Sequence, residues 1–98
     1  MHYIIVTEFE TPSETSCRIK GLLSTDAKNL ETYFLGFHIN CSNMQDFFEV
    51  DISGDQVLQI LGGSSFNYSI ISQSMAIENT AIGGRTVKIQ KLVWTMGK

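Results

Sequence analysis

The chain has 98 residues, 43% of them apolar and ten of them aromatic, which suits one domain around one core and excludes a disordered or low-complexity polymer. A net charge of −3, with no Lys or Arg between Lys28 and Arg85, argues against nucleic-acid binding, which needs a basic face to displace counterions from phosphates. No run approaches the roughly 20 apolar residues of a membrane-spanning helix, and residues 1–6 lack the basic start and apolar length of a secretory signal, so the expected compartment is the cytoplasm.

Residues 2–9 alternate weakly, with Tyr3 and Ile5 on one side and Ile4 and Val6 on the other, as in a strand buried on both faces for part of its length. Residues 10–14 supply turn chemistry, including the only proline, Pro12. Residues 16–23 read as a second strand, Cys17, Ile19 and Leu23 inward and Arg18 and Lys20 outward, forming an antiparallel hairpin with the first.

Ser24-Thr25-Asp26 predicts a helix start, with a hydroxyl to cap free amides and an acid where the helix dipole favours one. Leu30, Tyr33, Phe34 and Phe37 have the spacing of one helix face, which should pack on the sheet. Gly36 is a candidate end, after which Phe37, Ile39 and Cys41 alternate as a short strand; the boundary stays open between Phe34 and Ile39. Ser42-Asn43 reads as a turn, and Phe48, Val50 and Ile52 alternate with Glu49 and Asp51 as a strand with one wet face. Ser53-Gly54-Asp55-Gln56 has the form of a capping box, opening an amphipathic helix through Val57, Leu58, Ile60 and Leu61 that Gly62-Gly63 stops.

Residues 66–96 predict a long β-hairpin turning at Ile82-Gly83-Gly84. A two-residue Gly83-Gly84 turn mixes Val87, Ile89 and Val93 with Thr80, Glu78 and Ser74 on one face. A three-residue loop instead sets Ala81 opposite Arg85, Ile77 opposite Ile89 and Glu78 opposite Lys88. One face then carries Ile71, Met75, Ile77, Val87, Ile89 and Val93, the other Ser72, Ser74, Glu78, Thr80, Thr86, Lys88 and Gln90, so this is the expected register. Near the open end, Tyr68, Ile70, Leu92, Trp94 and Met96 gather on the face that is polar farther out. With helices on the opposite face only, this cluster is a bare apolar patch for a partner or a second copy, unless a segment such as Phe47 or the loop before the first helix covers it.

Glu49 and Asp51 share a strand face about 6.7 Å apart and read as a solvated face or a docking patch for a basic partner. No calcium-loop spacing surrounds them, and no metal or cofactor is expected. Cys17 and Cys41 form no CxxC pair and are expected to be reduced, as small buried hydrophobes. Gly62-Gly63-Ser64-Ser65 follows a helix, where a phosphate loop would precede one, and Gly83-Gly84 sits at a hairpin tip. No nucleophile elbow or cysteine-protease context appears, His38 reads as a satisfied structural residue, and no catalytic residue is assigned. Arg85, Lys88 and Lys91 on the last strand keep it soluble and pair with Glu78.

These patterns predict a single α+β domain over residues 1–98, an antiparallel sheet of five or six strands with two helices mainly on one face and a long C-terminal hairpin. The expected function is non-enzymatic: a small inhibitor-like or accessory binding protein, self-associating as a homodimer and contacting partners through Tyr68, Ile70, Leu92, Trp94, Met96, Glu49 and Asp51. The alternative is a small-molecule-binding domain or small enzyme with an aromatic pocket between helix and sheet near Tyr33, Phe37, His38 and Phe48.

Overall fold

A computed structural model describes residues 1–10 and 14–98, without the side chains of 76–80, 82 and 87–90. The expected turn at residues 10–14 and the hairpin-face assignments of Ile77, Glu78, Thr80, Val87, Lys88, Ile89 and Gln90 lie outside the described residues. The elements run β1 (Tyr3–Glu10), β2 (Thr15–Lys20), α1 (Ser24–Gly36), β3 (Cys41–Asn43), β4 (Phe48–Val50), α2 (Gly54–Leu61), β5 (Ser69–Ile82) and β6 (Arg85–Gly97). They form a mixed α+β fold: six antiparallel strands in the order β3-β4-β2-β1-β6-β5, with two helices.

The core face is set by β1. Ile4, Val6 and Glu8 alternate inward, and antiparallel pairing puts Met96 beside Ile4, Trp94 beside Val6 and Cys17 beside Glu8 on that same side. Leu30 and Phe34 of α1 and Val57 and Leu61 of α2 close over this row, so both helices cover one face. The other face stays open. Tyr3 and Ile5 are 57% and 44% exposed, so β1 is buried on one side only, contrary to its sequence reading.

Both helix ends follow from local chemistry. The side chain of Ser53 accepts the Gln56 amide at 3.5 Å, as the capping box predicts, although the Gln56 side chain returns to the Ser53 hydroxyl at 3.4 Å. In α1 the cap is Leu23, with no side-chain hydrogen bond, so the expected hydroxyl cap does not form. That helix ends at His38 in the left-handed conformation (φ 57°), whose amide bonds the Leu35 carbonyl while the Ile39 amide bonds Phe34. This is a Schellman motif, with histidine where glycine is usual.

The ribbon of β5 and β6 departs from the expected register. Ala81 faces Thr86 and Ile82 faces Arg85, closing a two-residue Gly83-Gly84 turn in which both glycines have positive φ, 58° and 80°. Such a turn matches the twist of the flanking strands. β1 pairs β6 only from Gln90 to Gly97, so the tip projects past its neighbours, where turn chemistry outweighs face pattern. A bulge between Ile70 and Ser72 then shifts the pairing, and at the base Ile70 faces Met96, the offset expected for the whole ribbon.

Candidate functional site

The apolar cluster at the ribbon's base, expected to be either bare or covered by another segment of the chain, is covered and belongs to the core. Tyr68, Trp94 and Met96 are 3%, 4% and 1% exposed, and Leu92 is half-buried against them. Residue Gly54, first in α2, lies flat on the indole: a Cβ there would come within 2.4 Å of Cη2 and Cζ3 of Trp94. The cover over Trp94 is therefore supplied by α2, while Leu22 of the loop before α1 packs against the same core. Of the five predicted contact residues on the ribbon only Ile70 is solvent-facing, at 56%.

Exposed apolar surface lies elsewhere. On the open side of the sheet Tyr3 and Ile5 follow one another along β1, and Val93 stands half-buried beside Thr7. Ile71 and Met1 reach over Gly97, where an added Cβ would meet Ile71 Cδ1 at 2.8 Å and Met1 Sδ at 2.9 Å. Cations border this surface: Arg18 lies over the rings of Phe9 (5.1 Å) and Phe47 (4.9 Å), and Lys91 over Phe9 (5.2 Å).

Glu49 and Asp51 line one recess, with Glu49 engaged by Arg18. Arg18 and Glu49 stand opposite each other on β2 and β4, and Nε donates to Oε2 at 2.8 Å, which neutralises one of the two charges. Asp51 falls beyond the end of β4 and is exposed. With Asn40, Cys41, Ser42 and Glu49 it lines a recess of about 200 Å³.

Two buried carboxylates were invisible in sequence because their partners are distant along the chain. Glu8 accepts the Gly54 amide at 2.5 Å, placing negative charge at the start of α2 where free amides and the helix dipole favour it. Asp26 Oδ2 accepts the Tyr68 hydroxyl and Lys98 Nζ, each at 2.8 Å, while Lys98 also donates to the Phe66 carbonyl at 3.0 Å and lies 4.4 Å from the Tyr68 ring centroid. Burial opposes the charged form of Asp26, but the Lys98 and Tyr68 hydrogen bonds and the nearby positive charge outweigh it and hold the carboxyl below its ordinary range. Burial, then the adjacent Asp26, pushes the Tyr68 hydroxyl upward, so this phenol is a committed donor rather than an activated base.

The other chemistry-bearing groups are similarly occupied. Burial, with Glu8 beside it, pushes the Cys17 thiol up to about 12, and its Sγ donates to the Ile52 carbonyl at 3.3 Å. Burial and Glu31 also raise the Cys41 thiol. Cys17 and Cys41 both lie opposite Val50, on either side of β4, which separates them by two strand spacings, about 9.5 Å. A disulfide tolerates no more than about 7 Å between Cα atoms; both thiols are free. Nε2 of His2 donates to the Gly21 carbonyl at 2.5 Å. His38 is an exposed helix-end residue, not one enclosed in an apolar setting. Among the described residues no group of three His, Cys, Asp or Glu is placed to hold a metal ion.

The predicted aromatic pocket is only partly assembled. The rings of Tyr33 and Phe37 meet at a tilt, 5.0 Å between centroids, and line a groove of about 220 Å³ between the end of α1 and α2, with Ile39, Ile52 and Ile60. Phe48 is buried against Phe34 instead, and His38 is not part of the lining. Tyr33 and Phe37 therefore face away from the sheet, and Ala27, Leu30 and Phe34 carry the helix's packing. A larger open cleft of about 490 Å³ separates the start of α1 from the turn between β3 and β4, lined by Ser24, Lys28, Asn43, Met44 and Phe47 among others.

Compared with known protein families and with curated proteins, the chain matches no family and no curated relative. Among the described residues no helix is long and apolar enough to cross a membrane.

Proposed function

We propose that this protein is a non-enzymatic binding module that works by protein–protein contact through the uncovered face of its sheet, and that it self-associates. The observation that carries this reading is the open row of Tyr3, Ile5, Ile71 and Val93, bordered by Arg18 and Lys91, on a sheet whose two helices pack against the other face. Apolar patches rimmed by charge are what partner surfaces are made of. The exposed Ile70, opposite Met96, lies at the ribbon's base on the helix side of the sheet and is not part of this row, and Asp51 offers a separate negative point for a basic partner. Tyr68, Trp94 and Met96 serve as core and are not contact residues. The two free thiols suit a reducing compartment such as the cytoplasm.

A photo-crosslinking residue at position 5, expressed in the cells that make the protein, should give discrete protein adducts, whereas the same residue at exposed position 35 in α1 should not. The competing reading is a small-molecule site in the Tyr33–Phe37 groove. Absence of adducts at position 5, together with a large thermal shift from one metabolite class that Phe37→Ala abolishes, would replace the first reading with the second.

A further inference from the structure

We infer that the ligand of the β5 edge is the β5 edge of a second copy, paired antiparallel about a two-fold axis, so that two six-stranded sheets become one of twelve. The inference rests on the reading above, naming the self-association it invokes. β5 is the last strand of the sheet and runs 14 residues, Ser69–Ile82, with no strand beyond it among the described residues. A strand in that position presents a row of backbone donors and acceptors to the outside, a template for another strand.

Natural edges are blunted by Lys, Pro or brevity. Between Ser69 and Ile82 there is no Lys, Arg or Pro and a single charged residue, Glu78. The bulge beside Ile71 lies at the base and leaves Ser72–Ile82 in regular pairing with β6. At the same end Ile70 and Ile71 are 56% and 50% exposed. By contrast the opposite edge, β3, spans only three residues and packs with α1, so it is a poor template.

These features select the occupant. An isologous contact brings the same patch of two copies together, and an antiparallel strand is always hydrogen-bond complementary to itself. Only another β5 matches a 14-residue edge along its length within this protein; a head-to-tail contact would have three residues of β3 to offer. The near-uncharged strand removes the like-charge repulsion that would oppose two identical edges, and a net charge of −3 per chain adds little. Dimerisation here leaves Tyr3 and Ile5 uncovered and doubles the width of the open face, since β1 is two strands away from the junction.

The test is light scattering coupled to size-exclusion chromatography across a concentration series, on wild type, the double variant Ser72→Lys/Ser74→Lys, and Ile5→Lys. Ser72, Ser74 and Ile5 are exposed, so all three proteins should fold, which unchanged Trp94 fluorescence verifies. Wild type and Ile5→Lys should approach twice the 11.0 kDa chain mass while the double variant stays at that mass. In wild type, amide exchange across residues 69–75 should slow between dilute and concentrated samples. A dimer that Ile5→Lys breaks and the double variant keeps would overturn the edge pairing and leave the face-binding reading standing. A wild type monomeric throughout would also overturn it, leaving the edge to solvent or a foreign strand, and photo-crosslinking at position 5 would still decide the broader reading.

Discussion

Asp26 receives two donors, a phenol from the loop before β5 and an ammonium from the far end of the chain, and ties three distant segments together. Its carboxyl is held below the ordinary value, so it contributes stability that is fully present above the unfolded pKa of about 3.9 and is lost as pH falls through the folded value. The partly buried Lys98–Asp26 pair should be worth about 2 kcal/mol. Lys98→Met should therefore lower the urea midpoint at neutral pH, and the gap to wild type should close as the medium is acidified through the lowered folded pKa of Asp26. A gap that persists undiminished in acid would assign the loss to the lysine stem's packing rather than to charge. None of this was legible in the sequence: Asp26 reads there as a helix-start acid, and only the fold brings Tyr68 and Lys98 to it.

At the scale of elements, α2 is held by one contact that no larger residue permits. With Gly54 against the Trp94 ring and its amide on Glu8, an added methyl must push the helix off the sheet. Gly54→Ala should cost about 2 kcal/mol, read as a lower urea midpoint and altered emission from Trp94, the only tryptophan. An unchanged midpoint would mean that α2 does not rest on the indole. Sequence patterns located both helices, the first hairpin and the Ser53 cap, because each is written in neighbouring residues. They misjudged the ribbon for two physical reasons. Its tip extends past the last residue of β6 that β1 pairs with, so two adjacent glycines decided the turn. Its base carries a bulge, which reverses the alternation part-way and cannot be read from period-two patterning.

For the whole molecule, everything turns on which side of the sheet the helices occupy. Period-two alternation says that two faces differ but not which is inside. Both sides of β1 are apolar, Tyr3 and Ile5 against Ile4 and Val6, so sequence alone could not break the tie. The tie is broken by long-range packing: Trp94 and Met96 extend the Ile4–Val6 row, and Leu30, Phe34, Val57 and Leu61 fill the space above it. The exposed apolar surface therefore lies on the Tyr3–Ile5 side rather than the Trp94 side, with the β5 edge at its margin. A soluble gadolinium chelate added to dilute protein in an NMR experiment tests this assignment most directly. The Ile5 methyls and Tyr3 ring should broaden while the Ile4 and Val6 methyls and the Trp94 indole stay sharp; broadening of Trp94 with Ile5 protected would contradict the account.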